Sequence, residues 1–258
     1  MLRFFRQIRK RLLTDNKISR YLLYAVGEIF LVVIGILIAL QVNNWKEDRL
    51  ARQNEYLVVQ DIYLELLENR AYLDKTLKEW LSRGAYIKVL ADTLATEDLQ
   101  LPQREFDSLL VGAITFRNFS PIRQKLDRVL SSDNLEFVES PDLIKEMMSL
   151  AGHYDNLDEF FQYNLATWKQ IVQPYLITHY SYRNLNTLAY SNRDYKKDTR
   201  VNHEALLSSS VFDNIINNMD ADVITFIRGL ERSLDKTQQL QSLLESNYTK
   251  INALEAFD

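Results

Sequence analysis

Residues 21–42 read YLLYAVGEIFLVVIGILIALQV and hold one charged residue, Glu28. A helix rises about 1.5 Å per residue, so this run spans roughly 33 Å, against a bilayer core of about 30 Å. No other stretch of the chain is as long and as apolar. The run predicts one membrane-spanning helix, 21–42, ahead of a larger domain, 43–258. The rival reading is a cleaved signal peptide. The run is too long for an h-region and no A-x-A-like site follows it, so an uncleaved anchor is expected.

Working outward, residues 1–20 carry Arg3, Arg6, Arg9, Lys10, Arg11, Lys17 and Arg20 against one acid, Asp15. The segment after the run, 43–49, is mixed in sign. Basic flanks stay on the cytoplasmic side, which predicts a cytoplasmic tail at 1–20 and an outer domain at 43–258. A tail of about twenty residues leaves little room for a cytoplasmic output domain. Leu2, Phe5, Ile8, Leu12 and Leu13 fall near one helical face, with Arg3, Arg6, Arg9, Lys10 and Arg11 around it. Two readings stay open: a topology signal only, or an interfacial helix whose basic residues contact lipid headgroups.

The net charge is −4; with six net positive charges before the run and Glu28 within it, residues 43–258 carry −9. Such an acidic domain argues against a nucleic-acid partner. The chain has no cysteine. The outer domain therefore has no disulfide framework and depends on its core.

On a helical wheel, Glu28 shares a face with Tyr24, Val32, Gly35 and Ala39. Gly35 and Ala39 form a small-xxx-small pair, which lets another helix approach closely. An ionised acid in hydrocarbon is costly, so Glu28 is a functional candidate. It has three readings. It contacts another spanning helix, or handles protons in a partner complex, or snorkels toward the cytoplasmic interface.

Periodicity in the outer domain is helical and strand-like alternation is absent, which predicts an all-α, elongated bundle. Tyr56, Val59, Tyr63, Leu66, Leu73, Leu77, Trp80 and Ile87 recur at heptad-like spacing, broadened by Leu57, Ile62, Leu67 and Leu81. Arg70 and Gly84 interrupt this seam. The pattern describes a core-facing bundle helix. No Pro or Gly lies between residues 36 and 83. The spanning helix is therefore expected to continue into this one through a polar stalk, 43–52. A second long helix is expected from Val223, Ile227, Leu230, Leu234, Leu244, Tyr248, Ile251 and Leu254. It would be capped at Asp220 or Asp222 and lie antiparallel to the first. Ser120-Pro121 and Ser140-Pro141 both read as cap-then-Pro helix starts, with a turn at 131–134 between them. Residues 141–180 read as a helix bent near Gly152 and at Pro174, and 190–202 as an exposed loop.

Catalytic and metal-binding patterns are missing. His153, His179 and His203 stand in no ligand motif, and neither a P-loop, a G-x-S-x-G nor an H-E-x-x-H occurs. The expectation is a non-enzymatic protein with no cofactor, no metal and no catalytic residues. Tyr175, His179, Tyr180 and Tyr182, with Tyr190 and Tyr195 beyond them, suit a glycan, peptide or protein contact. Ordinary core and rim tyrosines are the alternative.

The stretch FFRQIRKRLLTDNKISRYLLYAVGEIFLVVIGILIALQVNNWKED resembles the opening of an uncharacterised family of bacterial single-pass membrane proteins. There a basic Phe-Phe-Arg tail leads into a Gly-Glu…Val-Val-Ile-Gly-Ile-Leu-Ile-Ala-Leu-Gln span and Asn-Asn-Trp. PIRQKLDRVLSSDNLEFVESPDLIKEM is similar to that family's middle region. The resemblance implies the inner membrane of a Gram-negative bacterium, a periplasmic helical domain, and Tyr24, Gly27, Glu28, Gly35, Gln41, Asn43, Asn44 and Trp45 as family features. The expected role is an accessory subunit, scaffold or sensor. Its partners would be membrane lipids and, through the span, another membrane protein or a second copy. The alternative role is an accessory subunit of an ion-driven motor or transporter using Glu28. A periplasmic hydrolase or glycan-active enzyme is a third, weaker option.

Overall fold

The computed structural model describes residues 18–96, 101–131, 138, 140–189, 202–248 and 251. The basic residues of the tail through Lys17, the loop 190–201, most of the turn at 131–134, and Leu254 lie outside the described residues. Among the described residues the secondary structure is helical throughout, as expected for an all-α chain. The helices are α1 (Ile18–Ala95), α2 (Gln103–Ile114), α3 (Gln124–Leu130), α4 (Pro141–Thr167), α5 (Gln173–His179), α6 (Tyr182–Ala189), α7 (His203–Leu207) and α8 (Ser210–Asn247). A π-helical turn, Trp168–Val172, joins α4 to α5.

The chain divides into two units, Met1–Tyr56 and Leu57–Asp258. In the first, α1 is long and apolar enough to cross a membrane, and none of its apolar window is buried. Leu31 is 69% exposed, and a Cβ on Gly27 or Gly35 would meet nothing within 4 Å. The stalk is helical, and Asn43 Nδ2 donates to Glu47 Oε1 one turn on at 2.8 Å. Helical hydrogen bonding runs on without interruption, because no Pro or Gly intervenes before Gly84.

In the second unit, Val59, Ile62, Tyr63, Leu66, Leu73, Trp80 and Ile87 of α1 are buried. Leu57 and Leu81, read from the sequence as widening this stripe, are exposed instead. Each lies off the three-four register that faces the core. Helix α8 runs antiparallel to this part of α1. The Tyr63 hydroxyl donates to Glu245 at 2.9 Å, Trp80 packs on Phe226 with centroids 4.0 Å apart, and Gly84 sits beneath Val223. Helix α8 starts at Ser210, well before Asp220. Ser209 caps it by accepting from the Phe212 amide, and Phe212, Ile215, Ile216 and Met219 bury its first turns. The Asn- and Asp-rich stretch DNIINNMDAD hides that apolar face in the sequence. The helix ends at Asn247, so Tyr248 is its C-cap and Ile251 lies beyond it, buried.

Helix α4 packs along α8. Tyr154 meets Thr237, Phe161 meets Phe226, and Gly229 allows Leu157 close. Ser140 caps α4 at Leu143 with Pro141 in the first turn, as expected. The helix passes through Gly152 without interruption. Pro174, which lacks an N–H, stands in the first turn of α5 directly after the π turn.

Ser120-Pro121 does not start a helix. Residues 115–123 form a strap with no helical structure, lying antiparallel along α1. Its backbone is held by α1 side chains. Tyr72 Oη accepts from the Ser120 amide at 2.8 Å, and Asn69 Oδ1 accepts from the Ile122 amide at 2.8 Å while its Nδ2 donates to the Ile122 carbonyl. Helix α3 begins only where buried Glu65 accepts from the Lys125 and Leu126 amides at 2.6 and 3.0 Å. This carboxylate does the work of an N-cap from another helix.

Candidate functional site

Arg83 lies three residues after Trp80 and four before Ile87, so it shares the core face of α1. It is 6% exposed. Its guanidinium carbon sits 4.7 Å from the Trp80 ring centroid and 4.6 Å from that of Phe116. Its Nε donates to the Ala113 carbonyl at 2.8 Å, whereas Nη1 finds no partner among the described residues. Burial pushes its pKa down to about 10, and the negative charge of Asp222 opposes that shift. The side chain is therefore cationic at neutral pH. Asp222 is raised by its own burial, against the pull of Arg83 and an Asn218 hydrogen bond. Flanking aromatic faces stabilise a desolvated guanidinium by roughly 2 kcal/mol, comparable with the 1–3 kcal/mol cost of a buried donor without a partner.

Trp80, Arg83 and Phe116 line a cleft of about 420 Å³. Helix α1 supplies Glu79, Ser82, Arg83 and Tyr86, α2 supplies Val111 and Gly112, the strap supplies Phe116 and Arg117, and the end of α6 closes one side. Gly112 lets the Tyr86 ring lie close: a Cβ there would stand 2.4 to 2.7 Å from the ring. At the mouth, exposed Arg117 approaches Glu79 at 3.8 Å. Sequence reasoning passed over Arg83. The available signal was its register: a charge in phase with Trp80 and Ile87 needs an interior partner.

A second groove of about 380 Å³ lies between α4 and α8, with His153, Asn156, Phe160, Arg228 and Arg232 among its walls. His153 Nδ1 is engaged with the Ser149 carbonyl at 2.8 Å.

The tyrosines singled out from the sequence occupy different settings. Tyr180 is buried and donates to buried Asp107 at 2.5 Å. Tyr175 is half-buried, bonds the Ser209 hydroxyl at 2.9 Å and stacks on exposed His179 at 4.4 Å. Tyr182 is half-buried against the core. Tyr190 and Tyr195 lie outside the described residues. In the first unit, Glu28 is half-buried, while Val32, Gly35 and Ala39 are exposed. The Tyr24 side chain, like Arg3, Arg6, Arg9, Lys10 and Arg11, lies outside the described residues.

Residues 28–138 match the sequence model of a family of unknown function, DUF6090. No curated protein and no solved structure matches the chain. The matched stretch starts at Glu28 and takes in the rest of α1, α2, the strap and α3. It thus contains Arg83 together with both of its aromatic neighbours.

Proposed function

We propose that this chain is a non-enzymatic, single-pass inner-membrane protein whose helical domain lies in the periplasm and binds a partner or ligand. It serves as an accessory subunit, scaffold or sensor. The observation that carries this is the apolar run of α1, none of which is buried. Leu, Ile, Phe and Val each favour insertion by about 0.3 to 0.6 kcal/mol near a bilayer centre, and one acid opposes it by about 3 kcal/mol. Fourteen such apolar residues occupy 22–42 beside the single acid Glu28. Their sum, on the order of 4 to 8 kcal/mol, exceeds the cost of the acid. The basic tail supports a cytoplasmic N-terminus. Glu28, Val32, Gly35 and Ala39, with Tyr24, form the face for a helix–helix contact in the membrane, and open space at Gly35 supports close approach.

The test is purification of the full-length protein from its native membrane in mild detergent, with stoichiometric co-purifying proteins identified by mass spectrometry. The chain is expected in the alkali-resistant membrane fraction with a defined partner or a second copy. Release by alkaline carbonate would overturn the anchor reading. A strictly monomeric, partner-free protein would overturn the membrane contact.

A further inference from the structure

We propose that the cleft between α1, α2 and the strap binds a small organic carboxylate, its anionic group on the Arg83 and Arg117 guanidinium groups and its flat apolar body against Tyr86 and Phe116. This deepens the reading of the helical domain as a binding domain by naming a ligand class. Its test is independent of the co-purification result.

Four observations converge on it. The cleft volume of about 420 Å³ lies in the range of small-molecule sites, roughly 300–1,000 Å³. Its polar centre is Arg83, a residue 6% exposed, with one guanidinium nitrogen lacking a partner among the described residues. Arg83 makes no ion pair within 4 Å among the described residues, and the Asp222 carboxylate acts on it only from farther off. A planar fork of donors matches a carboxylate better than any neutral acceptor. The second cation, Arg117, stands 75% exposed at the mouth, and its approach to Glu79 at 3.8 Å is longer than a hydrogen bond. The walls are aromatic, and Gly112 leaves the Tyr86 ring room to lie over the α2 backbone. A cationic ligand is disfavoured by the two arginines, and a bulky one by the volume.

The experiment is ¹⁹F NMR on the full-length protein in dodecyl maltoside, with 4-fluorobenzoate as probe and 4-fluorobenzyl alcohol as its neutral analogue. Wild type is expected to broaden the benzoate resonance well beyond the micelle background and to leave the alcohol at that background. Arg83→Gln is expected to weaken benzoate binding roughly tenfold or more. Should that variant unfold, Ser82→Trp tests the same point, since Ser82 is exposed and lines the cleft, so an indole there fills the space without disturbing the core. It is expected to abolish binding with an unchanged melting temperature. No broadening at millimolar probe overturns the proposal. So does equal broadening by wild type and folded Ser82→Trp, or equal binding of acid and alcohol.

Discussion

Glu65, Asn69, Tyr72 and Arg83 all point polar groups from α1 into the domain, and each hydrogen-bonds a backbone group there. Glu65 is the clearest. Two amides at the start of α3 converge on its buried carboxylate. Glu65→Ala leaves both orphaned and is expected to cost about 2–4 kcal/mol, while Glu65→Gln, keeping one acceptor, costs about 1 kcal/mol. Melting of both variants beside wild type checks the ranking; a Gln variant as stable as wild type would show that the side chain acts only by filling space, and equal losses would show that both carboxylate oxygens are needed. Tyr154 offers a pH test. It is fully buried and bonds Thr237 at 3.1 Å. Because the Thr237 hydroxyl donates to the Ser233 carbonyl at 2.8 Å, the phenol is the donor. Burial pushes its pKa up to about 12 from 10. The folded state therefore holds the proton more tightly than the unfolded state between pH 10 and 12. Stability from this group is complete below pH 10 and falls by up to about 3 kcal/mol as the pH rises to 12. Tyr154→Phe loses about 1 kcal/mol at pH 8 and is spared the alkaline loss, so the two stability curves are expected to cross above pH 10. Parallel curves would mean that the phenolate is accommodated. Glu65, Asn69, Tyr72 and Arg83 were hard to read from the sequence because their partners are main-chain atoms, which carry no sequence signature.

At the scale of elements, the long helices were legible and the strap was not. Val59, Tyr63, Leu66, Leu73, Trp80 and Ile87 repeat at a helical period because α1 buries one face along its second half. The same reasoning set α8 antiparallel to it, but placed its start late, since polar asparagines alternate with Ile215, Ile216 and Met219. Ser140-Pro141 and Ser120-Pro121 look alike in sequence and part ways in structure. The first is free to cap its own helix; the amides of Ser120 and Ile122 are taken by Tyr72 and Asn69. Local cap chemistry loses to tertiary hydrogen bonds in that case. The α4–α8 contact is equally specific. A Cβ on Gly229 would stand 2.6 Å from Leu157 Cδ2. Gly229→Ala is expected to cost about 1–3 kcal/mol by overpacking, and to cost less in a Leu157→Ala background, where the space is already open. Additive losses in that double-mutant cycle would place the strain elsewhere.

For the whole molecule, the two units have separate requirements. Unit Leu57–Asp258 has its own buried core, from Val59 and Tyr63 to Phe226 and Leu244. Unit Met1–Tyr56 contributes an apolar run with nothing buried. Glu28 separates the two membrane roles proposed for the apolar run. Glu28→Gln keeps shape and hydrogen bonding and cannot titrate, whereas Glu28→Leu removes both. Assembly that survives Gln and fails with Leu identifies a hydrogen-bonded contact; loss with Gln identifies proton handling. Both variants are expected to leave melting of the helical domain unchanged. The same division argues that residues 43–258 fold alone. The stalk 43–52 is helical and exposed along its length, so cutting ahead of it removes no core residue. A fragment 43–258 is expected to be soluble without detergent and strongly helical by circular dichroism. It should melt in one cooperative transition within a few degrees of the domain in the full-length protein. A fragment that aggregates, or stays helical without a cooperative transition, would show that the core depends on unit Met1–Tyr56 or on a partner. The division of the chain at Tyr56 would then describe geometry and not independent stability.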